Sequence, residues 1–152
     1  MAERIEPAVL SKEVNVFMNK GTVLAPDFVM VGCATSKDWG LSNNILELNC
    51  DSGKRTVDDG EDSTYDFQLT GMVFEYGDEA AENVSAFDFE TLAQTKPQPL
   101  NQYRLAGKFS GDTVRTFFAR IATFRETGSN GEARTYTVGF RVDGVPVLSR
   151  QA

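Results

Sequence analysis

The residues best equipped for chemistry are acidic. Asp58-Asp59-Gly60-Glu61-Asp62 sets four carboxylates around a glycine, the kind of oxygen-rich turn that can hold calcium. The EF-hand spacing fails, because a glycine at the sixth loop position makes Arg55 the first ligand. A looser calcium site is one reading of the cluster, and a solvated or interface-forming charge run is the other. Two carboxylates for glycoside hydrolysis could be drawn from 22 acidic residues, but spacing singles out no pair. There is no histidine, so a serine or cysteine nucleophile lacks its usual base and the HExxH zinc motif is impossible. Glycine-rich phosphate loops and CxxC pairs are also missing. The expectation is a protein that is not an enzyme and uses no cofactor or metal. Cys33 and Cys50, the only cysteines, each end an apolar segment, where a small, buried, inert thiol is expected and a disulfide is the alternative. Asn83-Val84-Ser85 fits a glycosylation sequon, which carries no meaning without export.

The elements that position these groups lie between residues 28 and 74. Two apolar segments, 28–33 and 45–50, precede an acidic excursion, 51–64, and then the alternating segment 65–74. The pattern predicts a β-hairpin with a long polar loop. That loop holds Asp51, Asp58, Asp59, Glu61 and Asp62 against Lys54 and Arg55, broken by Gly53 and Gly60, so it cannot bury enough apolar surface to fold alone. Loops longer than about 12 residues inside a domain are usually functional or disordered.

The 152 residues suit one domain that buries a core without disulfides or metals. The net charge of -7 works against tight binding to nucleic acid or anionic membranes, since such affinity comes from cations displacing counterions. Six acids against two bases fall in 51–66 and six against none in 75–90, so one sector should be strongly negative. The N-terminus lacks the apolar run of a signal peptide, and Pro26 and Asp27 interrupt the most apolar region, which predicts no membrane anchor and folding in a cytoplasm.

Residues 1–11 read as an extended arm, ordered only where something receives it. Val14, Val16 and Met18 alternate as a short strand closed by Asn19-Lys20-Gly21. Residues 28–33 are apolar on both faces, as in a strand covered on both sides or one whose outer face meets another subunit. Trp39 and Leu41 share a face of an extended stretch, as do Leu46, Leu48 and Cys50, with Glu47 and Asn49 opposite. Tyr65, Phe67 and Leu69 alternate with Asp66, Gln68 and Thr70 as a half-buried strand. A helix is predicted over 78–95, with Ser85 and Asp88 as a capping box and Pro97 and Pro99 as the stop. Tyr103 and Leu105 resume a strand. Phe117, Phe118, Ile121 and Phe124 would also suit a helix, but β-branched residues and the Asn130-Gly131 turn favour a strand over 113–127. Tyr136, Val138, Phe140 and Val142 then alternate, and Asp143-Gly144 is read as a turn toward a tail at 145–152. The sum is mainly β: an antiparallel sandwich or barrel of about seven strands with one α-helix.

An ordered series of short motifs resembles the major tail tube proteins of long-tailed bacteriophages. The series is Val14-Asn15-Val16-Phe17 with Gly21-Thr22, Val31-Gly32-Cys33-Ala34-Thr35-Ser36, Glu47-Leu48-Asn49-Cys50-Asp51-Ser52-Gly53, Asp66-Phe67-Gln68-Leu69-Thr70-Gly71 and Thr135-Tyr136-Thr137-Val138-Gly139-Phe140. It spans most of the chain, and departs where Lys54-Arg55 stands in place of a tryptophan frequent in relatives. The resemblance implies a single tail-tube-like domain over 1–152 and a homo-oligomer of hexameric rings stacked into a hollow tube. Such a tube belongs to the virion tail, is assembled in the host bacterial cytoplasm, and passes DNA without specific binding. Terminator, distal tail and tape measure proteins would be its partners. It further implies that loop 51–64, with Asp51, Lys54, Arg55, Asp58, Asp59, Glu61 and Asp62, contacts the neighbouring ring. The arm 1–11 and the tail 145–152 would bridge subunits. On that view Glu47, Asn49, Asp66, Gln68, Thr70, Thr135 and Thr137 are candidates to line the lumen, the alternative being an ordinary solvated sheet face. A negative lumen would let phosphates slide. A tube of a type VI or other contractile system is a close variant, and a monomeric ligand- or calcium-binding sandwich is the contrasting class.

Overall fold

The strict alternation at 135–142 becomes the centre of the molecule, where Tyr136, Val138 and Phe140 are each at most 2% exposed. The computed structural model describes residues 3–152. Within them lie nine strands: β1 (Val14–Asn19), β2 (Phe28–Met30), β3 (Ala34–Ser42), β4 (Ile45–Cys50), β5 (Gly53–Asp58), β6 (Thr64–Met72), β7 (Asn101–Gly107), β8 (Thr113–Thr127) and β9 (Thr135–Arg150). Helix α1 (Ala86–Gln94) sits between β6 and β7. Seven strands form one antiparallel sheet in the order β2-β1-β7-β8-β9-β6-β3, and β4 pairs with β5 alone.

That sheet has to roll. Six inter-strand steps of about 4.8 Å would hold flat edges roughly 29 Å apart. Yet the edge strands β2 and β3 are joined by Val31-Gly32-Cys33 alone, a span of at most about 14 Å. The amide of Val31 donates to Val16 at 2.8 Å and that of Met72 to Cys33 at 3.1 Å, tying this strap to both halves. Lys37 of β3 closes the same seam by donating to the Ser11 carbonyl at 3.0 Å, and burial lowers its ammonium pKa.

Aromatic residues fill the interior. Phe140 lies 4.8 Å from Tyr103, 5.5 Å from Phe67 and 5.9 Å from Phe89, ring centre to ring centre. Phe89 belongs to α1, which packs against β8 and plugs the barrel. The Asp88 carboxylate accepts from the Ser85 amide at 3.0 Å, as a capping carboxylate should. The 78–95 helix of the sequence reading is shorter: Gly77–Glu82 form a 3-10 turn, and α1 starts at Ala86.

Two further expectations change. The helical look of β8 comes from the register shift at Ile121/Thr123. Phe117, Ala119 and Ile121 face the core at intervals of two, and the bulge then brings Phe124 inward three residues after Ile121 although the chain is extended. Asp143-Gly144 is no turn. Gly144 adopts a left-handed φ of 72° within a bulge of β9, between Asp143 opposite Phe118 and Val147 opposite Thr116, and β9 runs on to Arg150, so most of the tail 145–152 is strand.

Candidate assembly surfaces

Half of the expected loop 51–64 is strand. Gly53–Asp58 forms β5 and pairs along its whole length with β4, turning at Asp51-Ser52, while β6 takes β3 as its hairpin partner. The unpaired remainder is only 59–63. Val57 and Thr56 supply the β-branched residues that the charge count hid. Directly opposed residues share a face, so Leu46 with Val57, Leu48 with Arg55 and Cys50 with Gly53 make one side of this hairpin. The other carries Ile45 with Asp58, Glu47 with Thr56 and Asn49 with Lys54, where the Lys54 ammonium approaches Glu47 at 3.7 Å. All twelve strand residues are exposed. A two-stranded hairpin is marginal by itself, and one with an apolar side left in water is a candidate to meet another surface.

At its base the carboxylates serve the backbone. Asp58 accepts from the Gly60 amide and Asp59 from the Glu61 amide, both at 3.0 Å, while Asn44 donates to Asp59. Glu61 and Asp62 lie in the link to β6. Among the described residues no group of three or more His, Cys, Asp or Glu side chains is placed to hold a metal ion.

Five of the seven lumen candidates share one face. Asp66, Gln68 and Thr70 of β6 stand opposite Arg141, Gly139 and Thr137 of β9, and Thr135 opposes Met72. Thr70 and Thr137 bring their hydroxyls to 3.4 Å. Glu47 and Asn49 lie apart, on the hairpin. Register adds residues that sequence reasoning missed: Asp38 opposite Gln68, Thr123 opposite Gly139, Arg125 opposite Thr137 and Arg120 opposite Arg141. Asp143, opposite Phe118, continues the same face, which is therefore of mixed charge, with three aspartates and three arginines, and the acid excess sits elsewhere. A groove of about 520 Å³ crosses it where Gly40 and Gly139 leave room. A Cβ at Gly139 would stand 2.4 Å from the Thr123 hydroxyl.

Both sides of this four-stranded face end in open strand edges. β3 pairs only with β6. β7 accompanies β8 no further than Ala119, and beyond it the side chain of Gln98 takes the strand's place, donating to the Ile121 carbonyl at 3.0 Å and accepting from its amide. Past Ile121 the outer edge of β8 has no strand partner among the described residues. Such edges are templates for pairing with another chain.

The expected arm 1–11 is received by the chain itself, with Met1 and Ala2 outside the described residues. Arg4 holds the Asp112 carboxylate with two hydrogen bonds, at 3.0 and 2.7 Å, and Glu13 at 2.6 Å. The Arg4 guanidinium keeps both carboxyls below their ordinary pKa range and raises its own. Ile5, Val9 and Leu10 remain more than half exposed. Cys33 and Cys50 are exposed free thiols, contrary to the buried pair expected. Hydrogen bonds from Ser52 lower the Cys50 thiol pKa.

No family model matches the chain, and no curated protein does. Solved structures do. The chain superposes with a TM-score of 0.68 on a chain from the tail of an empty gene transfer agent particle with C6 symmetry, covering 95% of this chain and 100% of the other at 11% identity. For the SPP1 tail tube the TM-score is 0.67, over 95% and 80% of the two chains at 10% identity. For the sheath-tube complex of an extracellular contractile injection system in its extended state it is 0.66, over 96% and 94% at 10% identity. The fold is the one found in these tails and tubes.

Proposed function

We propose that the protein is a structural subunit that assembles side by side with copies of itself into hexameric rings, and that the rings stack into the hollow tube of a phage tail. The observation that carries the reading is a near-complete fold match to tail tubes in a chain that leaves a whole hairpin, with its apolar side, uncovered. The open edges of β3 and β8 flank the polar face, so pairing them between neighbours would close a ring and turn that face inward. Asp66, Gln68, Thr70, Thr135 and Thr137, joined by Asp38, Thr123, Arg120, Arg125 and Arg141, then line the lumen. Hydroxyls, an amide and nearly balanced charge give a passing polyanion little to hold, and DNA moves through without specific binding. The β4-β5 hairpin, with Asp51, Lys54, Arg55 and Asp58, projects to the next ring, as Asp59, Glu61 and Asp62 do at its base. In this role the protein belongs to the virion tail, is assembled in the host cytoplasm, meets terminator, distal tail and tape measure proteins at the tube ends, and catalyses nothing.

Negative-stain electron microscopy of the purified chain is the test. Rings with six subunits and a central channel, stacking at higher concentration, are expected. A strict monomer at high concentration would overturn the reading. A second reading, the tube of a contractile injection system, is favoured by the sheath-tube complex among the fold relatives. It predicts that tubes bind a sheath protein along their outer wall.

A further inference from the structure

The antiparallel order gives the molecule two chemically different ends. β6 finishes at Met72 opposite Thr135, so residues 73–85 leave from one end. β7 finishes at Gly107 opposite Val14, and Arg150 of β9 stands opposite Thr113, at the other. The first end carries Glu75, Asp78, Glu79 and Glu82, all exposed and in no ion pair among the described residues. The second carries a groove of about 540 Å³ lined by Arg104, Lys108 and Arg150 with Asn15, Phe17 and Ala152, and by no Asp or Glu side chain, its one carboxylate being the main-chain group of Ala152.

This groove lacks something. Arg104 lies over the Phe28 ring, 4.1 Å from its centre, which fixes the guanidinium, yet its buried Nε has no hydrogen-bond acceptor. Such a donor costs stability until an acceptor arrives. Lys108 and Arg150 also form no ion pair among the described residues.

We propose that the Arg104, Lys108 and Arg150 groove receives the acidic turn 75–82 of a second copy, head to tail. The proposal rests on the tube reading and names the pair of surfaces that joins successive rings outside the hairpin. A contact between two different patches of the same chain repeats without closing, as stacking demands. The acids at 58–62 are poorer occupants: Asp58 and Asp59 already accept from their own backbone, and the segment lies at the same end as the groove.

Two charge-reversed proteins test the contact, one with Lys108→Glu and Arg150→Glu, the other with Glu79→Lys and Glu82→Lys. Each alone should form rings that do not stack, while an equimolar mixture should stack, because each reversed surface then meets its complement. Stacking of either protein alone at the wild-type concentration, as would follow if the groove serves an acidic segment of a different protein, overturns the proposal. So does a mixture of folded variants that fails to stack. If reversal prevents folding, the neutral changes Lys108→Gln and Arg150→Gln should raise the stacking concentration about tenfold, and an unchanged concentration overturns it. Wild-type protein that never forms rings would instead sink the tube reading itself.

Discussion

The chain contains two hairpins of similar apolar content and opposite fate. In β8-β9 the alternating residues meet α1 and β6 within the same chain, and Tyr136, Val138 and Phe140 are almost fully buried. In β4-β5 the alternating Leu46, Leu48 and Val57 stay 42–52% exposed. Alternation marks a face that will be covered, and it is silent on whether the cover is the same molecule. The first hairpin holds the subunit together; the second is available to hold subunits to one another.

The largest way to sharpen that contrast is Phe140→Ala. Removing a ring that contacts Phe67, Phe89 and Tyr103 should cost about 3–5 kcal/mol in denaturant unfolding, and assembly should fall with the fold. Acid acts next, on the arm. Asp112 and Glu13 have folded pKa values below their ordinary 3.8 and 4.5, with the Arg4 hydrogen bonds as the main cause. Their contribution is therefore complete above those ordinary values and is lost as the pH falls through the folded ones. Hydrogen exchange across residues 3–13 should stay slow down to about pH 4 and quicken below it, while β8-β9 remains protected. Protection of the arm at pH 2 equal to that at pH 7 would contradict this. The double change Leu46→Ser and Leu48→Ser should shift monomer stability by less than about 0.5 kcal/mol yet prevent stacking in sedimentation. A large loss of monomer stability would place this hairpin with the first one. The smallest effect is a change of labelling: Cys50, on the apolar side of the hairpin, should react with a thiol reagent in the free subunit and be shielded in tubes. Equal labelling in both states would show that this side stays in water.

The sequence made the sheet class, α1 and the polar face legible, because period-two alternation and turn chemistry act locally at Tyr65 to Thr70 and at Asn130-Gly131. Asp66, Gln68, Thr70, Thr135 and Thr137 were found because alternation places them opposite core residues. Their cross-strand neighbours Asp38, Thr123 and Arg141 depend on register, which no single strand encodes. β5 was hidden because charge at both ends of Gly53–Asp58 masks Thr56 and Val57. The inward turn of Phe124 is ambiguous in sequence because the bulge at Ile121/Thr123 shifts the period without a mark in composition. Cys33 and Cys50 were expected inside on the usual habits of the residue, and an apolar segment covered by another copy looks the same in sequence as one covered by its own core.

The strap of Val31 to Cys33 has a consequence for how the subunit comes apart. An open sheet frays from its margins, and β2, three residues long and paired only to β1, would be the first strand to peel. Here the chain leaving β2 becomes the opposite margin within three residues, so peeling one margin drags on the other. The barrel should therefore melt as one cooperative unit, with amides of β2 exchanging at the rate of global opening instead of ahead of it.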